Sequence, residues 1–247
     1  MPVKSAIYFS FFAITLLFAS CKQKETGMFE TMPASKTNIH FNNKLENKDM
    51  FNILYYLYFY NGGGVATGDI NNDGLPDIYF TANSKGNNKL YLNKGGFVFE
   101  DITAKAGVAG NADWCSGVTM ADVNGDGFLD IYVSASSQHH GLKGNNQLYI
   151  NNKNNSFTES AAKYNLDFSG FGTQAAFFDY DRDGDLDCYL LNHSQKPNSN
   201  ITDTANRRRP DPLTGDRLYR NDISTTGKFT DVSAEAGIRS EERRVGK

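Results

Sequence analysis

The stretch from Asp69 to Asp77, "DINNDGLPD", crowds three carboxylates into nine residues. Like charges held that close repel one another, and a folded loop containing them is costly unless a cation lies between them. The offsets specify the cation. Side-chain oxygens fall at loop positions 1, 3, 5 and 9 (Asp69, Asn71, Asp73, Asp77), position 7 (Leu75) offers a backbone carbonyl, and Gly74 at position 6 allows a sharp turn. Every donor is a hard oxygen, with no Cys or His among them, which selects calcium over zinc or copper. Magnesium demands a stricter octahedron and keeps more of its water.

The pattern returns twice. "DVNGDGFLD" supplies Asp122, Asn124, Asp126, Phe128 and Asp130, and "DYDRDGDLD" supplies Asp179, Asp181, Asp183, Asp185 (through its carbonyl) and Asp187. Ion-free turns rich in Asp, Asn and Gly would explain the composition but not the fixed offsets. An EF-hand requires a bidentate Glu at position 12, where these loops have Phe80, Val133 and Leu190. Each loop ends in a short run rich in β-branched and aromatic residues, "DIYFTA", "DIYVSA" or "DCYLLN", rather than in a helix. The metal loop therefore joins strand to strand, and three calcium ions are expected.

The loops lie 53 and 57 residues apart, a period that signals a repeat architecture. The remainder of each unit repeats as well: "NKLYLNKGGFVFEDITAKAGV" (88–108), "NQLYINNKNNSFTESAAKYNL" (146–166) and "DRLYRNDISTTGKFTDVSAEAGI" (216–238). One unit reads as strand "GVATG", metal loop, strand "DIYFTA", loop, strand "KLYLN", turn and strand "FVFEDIT". Four strands at this period make a β-propeller blade. The expected fold is all-β, a partial propeller of about three four-stranded blades (61–108, 109–168, 169–238), with calcium loops between first and second strands.

On the "GDINNDGLPDIYF" and "LYLNKG…FEDIT…AGV" signatures, residues 61–238 resemble the FG-GAP or VCBS repeat proteins, whose blades are like those of the integrin alpha-subunit propeller. The chain looks most like exported bacterial members related to cartilage acidic proteins that also carry an ASPIC/UnbV segment. That resemblance implies seven blades around a channel, of which three are present here, and hence a chain truncated at its C-terminus.

The N-terminus reads as an export signal: Lys4, a 14-residue apolar run (6–19) too short for a transmembrane helix, then Ala19-Ser20-Cys21. This resembles a bacterial lipobox with Cys21 as the lipidated residue, although Phe18 stands where Leu is usual. The expected location is extracytoplasmic, in the bacterial cell envelope, lipid-anchored to the outer membrane, where abundant calcium makes weak sites of roughly 10⁻⁴ to 10⁻³ M sufficient. Residues 1–21 are then signal, 22–49 a polar tether and 50–238 the propeller, while "RSEERRVGK" (239–247) looks like a translated sequencing adapter. The aromatic run "MFNILYYLYFY" (50–60) is expected to be a strand or packing segment at the propeller's start.

Charge supports ion binding. The net charge is -3, but 11 of the 28 acidic residues sit in the three loops, leaving 17 acids against 25 bases elsewhere. That excess is too small to suggest nucleic acid. Cys115 and Cys188 fall at different phases of different repeats and are expected to be free thiols. Nothing resembles a nucleophile elbow, a zinc motif or a phosphate-binding loop, so the ions are read as structural and the chain as non-enzymatic. "NGGGVATG" (61–68) opens a strand rather than a helix, which favours close packing over phosphate binding. Trp114 is expected to pack between blades; His139 and His140 in the loop 136–146 and Arg207, Arg208 and Arg209 in the loop 193–216 are expected first as solvated loop residues, with a surface for a protein or polysaccharide partner as the alternative reading. These expectations make the chain a calcium-stabilised binding or adhesion module, with a structural envelope component and a polysaccharide-active enzyme as alternatives.

Overall fold

A computed structural model describes residues 27–47, 51–138, 141–194 and 211–238. The chain divides at Pro33 into two compact units, and residues 27–33, all that is described of the first, contain no helix or strand. No helix among the described residues is long and apolar enough to cross a membrane. The apolar run 6–19, Cys21 and residues 239–247 lie outside the described residues.

The second unit is built of three four-stranded antiparallel sheets, each a meander in chain order. Blade one comprises β1 (Val65–Gly68), β2 (Asp77–Phe80), β3 (Lys89–Asn93) and β4 (Phe99–Asp101). Blade two comprises β5 (Cys115–Ala121), β6 (Asp130–Ala135), β7 (Gln147–Asn151) and β8 (Phe157–Glu159), and blade three β9 (Gly172–Phe178), β10 (Asp187–Asn192), β11 (Arg217–Asp222) and β12 (Lys228–Asp231). The sheets are open, and the fold is the expected arc of a β-propeller.

Alternation along β6 shows why the blades stack. Ile131 and Val133 pack into a core shared with Tyr79 and Leu90 of blade one, while Tyr132 on the opposite face packs with Cys188 and Leu190 of blade three. All six residues of β6 are buried, because both faces of the middle sheet meet another sheet. The core thus lies between blades, and burial of the two faces supplies the main attraction that holds them side by side. Cys115 and Cys188 are free, buried and in different core clusters, and burial pushes the Cys115 thiol up to about 11.

First strands pack against first strands at the inner edge of the arc, β1 on β5 and β5 on β9. Small residues and hydroxyls make that approach possible: Thr81 donates to Ser116 O at 2.7 Å, Ser116 to Gly172 O at 2.8 Å and Thr119 to Ala175 O at 2.6 Å. A Cβ on Gly63 would lie 2.1 Å from Thr81 O, and one on Gly117 would lie 2.4 Å from Thr173 O on the next blade. The glycine run 61–68 therefore serves close packing. Gly117→Ala puts a Cβ against the backbone of the next blade and is expected to destabilise the chain by about 2–3 kcal/mol, read as a lower urea midpoint at unchanged slope. An unchanged midpoint would show that the inner edge is slack.

One segment differs from the sequence-based expectation, and a second takes one of the two forms expected of it. Composition makes 22–49 a tether, yet residues 38–43 lie along blade one: Phe41 stacks on Phe80 with centroids 4.8 Å apart, Asn38 Nδ2 donates to Phe99 O, and Asn43 donates through Nδ2 to Asn83 Oδ1 while its Oδ1 accepts from Asn83 N. The reason is that blade one has no preceding sheet among the described residues, and this segment covers part of that face. The aromatic run forms turns rather than a strand beyond a single bridging residue, Phe51. It is a packing segment whose Phe51 and Phe59 enclose Trp114, with centroids 4.9 and 5.4 Å from its ring. Trp114 is accordingly buried against this segment rather than between blades.

Candidate metal centre

Each acidic loop links the first and second strands of its blade, 69–76 in blade one, 122–129 in blade two and 179–186 in blade three, and position 9 opens the second strand. The three loops share one backbone conformation. Position 4 is left-handed in all of them (Asn72 φ 58°, Gly125 φ 70°, Arg182 φ 66°), as is position 6 (Gly74, Gly127, Gly184). Asn and Gly tolerate that conformation, and the glycine at position 6 is the residue the tight turn demands.

The carboxylate at position 1 organises the turn. Asp69 Oδ1 accepts from Asp73 N at 3.1 Å and Oδ2 from Gly74 N at 2.7 Å; Asp122 does the same with Asp126 N and Gly127 N, and Asp179 with Asp183 N and Gly184 N. Position 5 accepts from the amide of position 7: Asp73 from Leu75, Asp126 from Phe128, Asp183 from Asp185. Asn71 and Asn124 at position 3 accept from the position 5 amide. The loops are thus wound around their own acidic oxygens.

Position 9 differs in burial. Asp77, Asp130 and Asp187 are each at most 1% exposed, whereas the rest of each loop, apart from Ile70 and Val123 at position 2, is at least partly exposed. Both oxygens of each buried carboxylate are engaged. Asp130 Oδ2 accepts from Val123 N at 3.1 Å and Oδ1 from Asn151 N at 2.8 Å; Asp77 is held the same way by Ile70 and Asn93, and Asp187 by Tyr180 and Asn221. Burial first, and then the charges of Asp126 and Asp122, push the Asp130 carboxyl up to about 7, against the two amide hydrogen bonds that favour its charge. Asp77 and Asp187 are raised for the same leading reason. Asp185 is pushed up to about 6 by burial and then by Asp183 and Asp187, and its buried Oδ1 finds no hydrogen-bond partner. Burial leads at all four and the neighbouring carboxylates add to it, so a cation held among them would favour their charged forms.

Loop three gathers its carboxylates most tightly. Asp179, Asp181 and Asp187 each bring one oxygen to within 4.8 Å of the others. The donor chemistry fits calcium: oxygen alone, from carboxylates at positions 1, 5 and 9, an amide or carboxylate at 3 and the carbonyl of Leu75, Phe128 or Asp185 at 7. Each position 9 oxygen accepts one amide and retains a second lone pair.

The sequence reading missed the asparagine at the end of the third strand in blades one and two and one residue before its end in blade three. Asn93, Asn151 and Asn221 use their backbone N–H on the position 9 carboxylate and their side-chain amide on loop carbonyls, Asn93 on Pro76 O at 2.8 Å. Its signal was present in "KLYLN", "QLYIN" and "RLYRN", where an amide recurs at a strand end that propensity alone would not favour. His139, His140 and Arg207–Arg209 lie outside the described residues.

Residues 69–133 and 135–190 match the model of the FG-GAP-like repeat family. Cartilage acidic protein 1 of Xenopus tropicalis is 32% identical over 184 residues, covering 71% of this chain and 28% of that protein. The Mus musculus protein of the same name is 29% identical over 181 residues (70% and 27%), and that of Homo sapiens 29% over 184 residues (71% and 27%). The chain therefore spans less than a third of the length of these relatives. The chain carries FG-GAP-like repeats on a partial β-propeller and is distantly homologous to cartilage acidic protein 1.

Proposed function

We propose that the chain is a calcium-stabilised propeller module for binding or adhesion at the bacterial cell envelope, exported and lipid-anchored through Cys21, with the ions in a structural role and a protein or polysaccharide as partner. The observation that carries the metal assignment is the threefold recurrence of one loop geometry, with oxygens at positions 1, 3, 5 and 9 and left-handed turns at 4 and 6. The structural role is supported by position 9. A carboxylate buried at a strand start, with both oxygens on backbone amides, is a brace, whereas a hydrolytic metal site needs an open coordination position and a free base. The binding role rests on the repeats and on the loops between second and third strands, which tolerate variation on a rigid scaffold.

Isothermal titration is expected to find three calcium ions per chain, with the tightest site removed by Asp183→Ala and a weaker one by Asp73→Ala. Loop three has a carboxylate rather than an amide at position 3 and a further Asp at 7, so it carries the most charge. Equal weakening by the two substitutions would overturn the ranking, and no calcium binding would overturn the assignment. A glycan and protein array probed with the calcium-loaded chain then reads the partner class.

A further inference from the structure

The third-strand asparagines do more than close their own loops. Asn151 of blade two donates one amide hydrogen to Leu129 O in its own metal loop at 3.0 Å and the other to Ile70 O in the loop of blade one at 2.8 Å. Asn221 of blade three repeats the arrangement, reaching Leu186 O in its own loop and Val123 O in the loop of blade two, both at 3.1 Å. Ile70 and Val123 occupy position 2, between the ligands at positions 1 and 3, and their amides are the ones that hold the position 9 carboxylates. One buried side chain therefore touches two neighbouring sites, and Asn151 is only 4% exposed.

The orientation is fixed. Asn151 Oδ1 accepts from Lys153 N at 2.8 Å and Asn221 Oδ1 from Ile223 N at 3.0 Å, so the oxygen is occupied and the amide nitrogen must face the two loops. In blade one, where no preceding blade stands among the described residues, Asn93 donates to Pro76 O of its own loop.

From this geometry, and resting on the calcium reading above, we infer that Asn151 and Asn221 are positioning residues shared by adjacent metal loops, so that ordering one loop with calcium orders the next. A position 2 carbonyl held by the neighbouring blade fixes the backbone between two ligands before the ion arrives, and the ion in turn fixes the carbonyl that the neighbour's asparagine needs. Coupling is stronger between loops one and two, where Asn72 Nδ2 also donates to Gly127 O at 3.0 Å, than between loops two and three, where Gly125 fills the corresponding position 4 and has no side chain to do so.

Hydrogen exchange read by mass spectrometry on the full chain separates the loops. In chelator, Asn151→Ala is expected to speed exchange of both 69–77 and 122–130 about fivefold, the equivalent of one net hydrogen bond per loop, while Asn93→Ala speeds 69–77 alone. With calcium, Asp126→Ala is expected to raise the midpoint for protection of 69–77 about threefold, and to leave it unmoved when Asn151→Ala is already present. Protection of β12 reports global folding; if Asn151→Ala loses it, Asn151→Ser is the variant read. A response to Asn151→Ala confined to 122–130, or an Asp126→Ala effect absent from 69–77, overturns the inference. Loss of the calcium response in every loop would instead overturn the metal assignment, and the chelator comparison still decides whether the asparagine ties the loops.

Discussion

Asp130→Ala is expected to lower the melting temperature by about 10 °C, and to do so in chelator as well as in calcium. The side chain is 1% exposed and sits at the start of β6, the strand buried on both faces at the centre of the arc. Its removal leaves the amides of Val123 and Asn151 buried without an acceptor. Each orphaned buried donor costs about 1–3 kcal/mol, so a loss of about 3 kcal/mol or more is expected, and a chain of this size shifts by about 2–4 °C per kcal/mol. Asp130→Asn keeps one acceptor and turns an amide group toward the other N–H, so it is expected to cost about half as much. The chelator arm separates brace from ligand: were the carboxylate needed only to hold the ion, mutant and parent would melt together once calcium was removed. Agreement within about 2 °C in chelator, the shift of less than one kcal/mol, would therefore sink the brace.

Much of this architecture was legible because both signals are local. The loop pattern D-x-[DN]-x-D-G-x-x-D places every ligand candidate within nine residues, and the strands around it alternate in ways that depend on near neighbours. β6 and β10 begin and end where "DIYVSA" and "DCYLLN" do. What local pattern did not show was the traffic between repeats. Asn151 reads as one more polar residue in an Asn-rich turn until Ile70, 81 positions earlier, is seen to supply its acceptor. The fourth strand illustrates a second limit. "FVFEDIT" has the composition of a full strand, but only Phe99–Asp101 pairs with β3, and the Asp101 side chain then bonds Thr103 N and opens the helical turn Thr103–Ala106. Asp and Thr side chains compete with the ladder for backbone partners, and here the turn wins. Residues 38–43 depart from their composition for a related reason: a Lys/Asn-rich segment looks solvated, yet amides such as Asn38 and Asn43 are well suited to satisfying exposed polar groups at the side of a sheet.

Removing calcium is expected to produce the other large effect, a drop in melting temperature of about 5–15 °C between about 2 mM calcium and chelator. Each ion that binds only the folded chain stabilises it by RT ln(1 + [Ca]/Kd). At affinities of roughly 10⁻⁴ to 10⁻³ M this is about 0.7–1.8 kcal/mol per site, hence about 2–5 kcal/mol for three. The dependence on concentration is the sharper test. Stability should climb with the logarithm of free calcium at a slope of RT per bound ion, so three filled loops give a slope three times that of a chain left with one. Magnesium at equal concentration should recover little of the gain, since loops that wrap their own oxygens around the site leave little room for its retained waters. The position 9 braces supply stability that calcium does not, so the chelated chain should still melt cooperatively rather than lose its sheets. A melting temperature indifferent to calcium would mean that the acidic turns hold themselves shut by amide hydrogen bonds alone, and the repulsion among Asp179, Asp181 and Asp187 would then have to be borne by the fold.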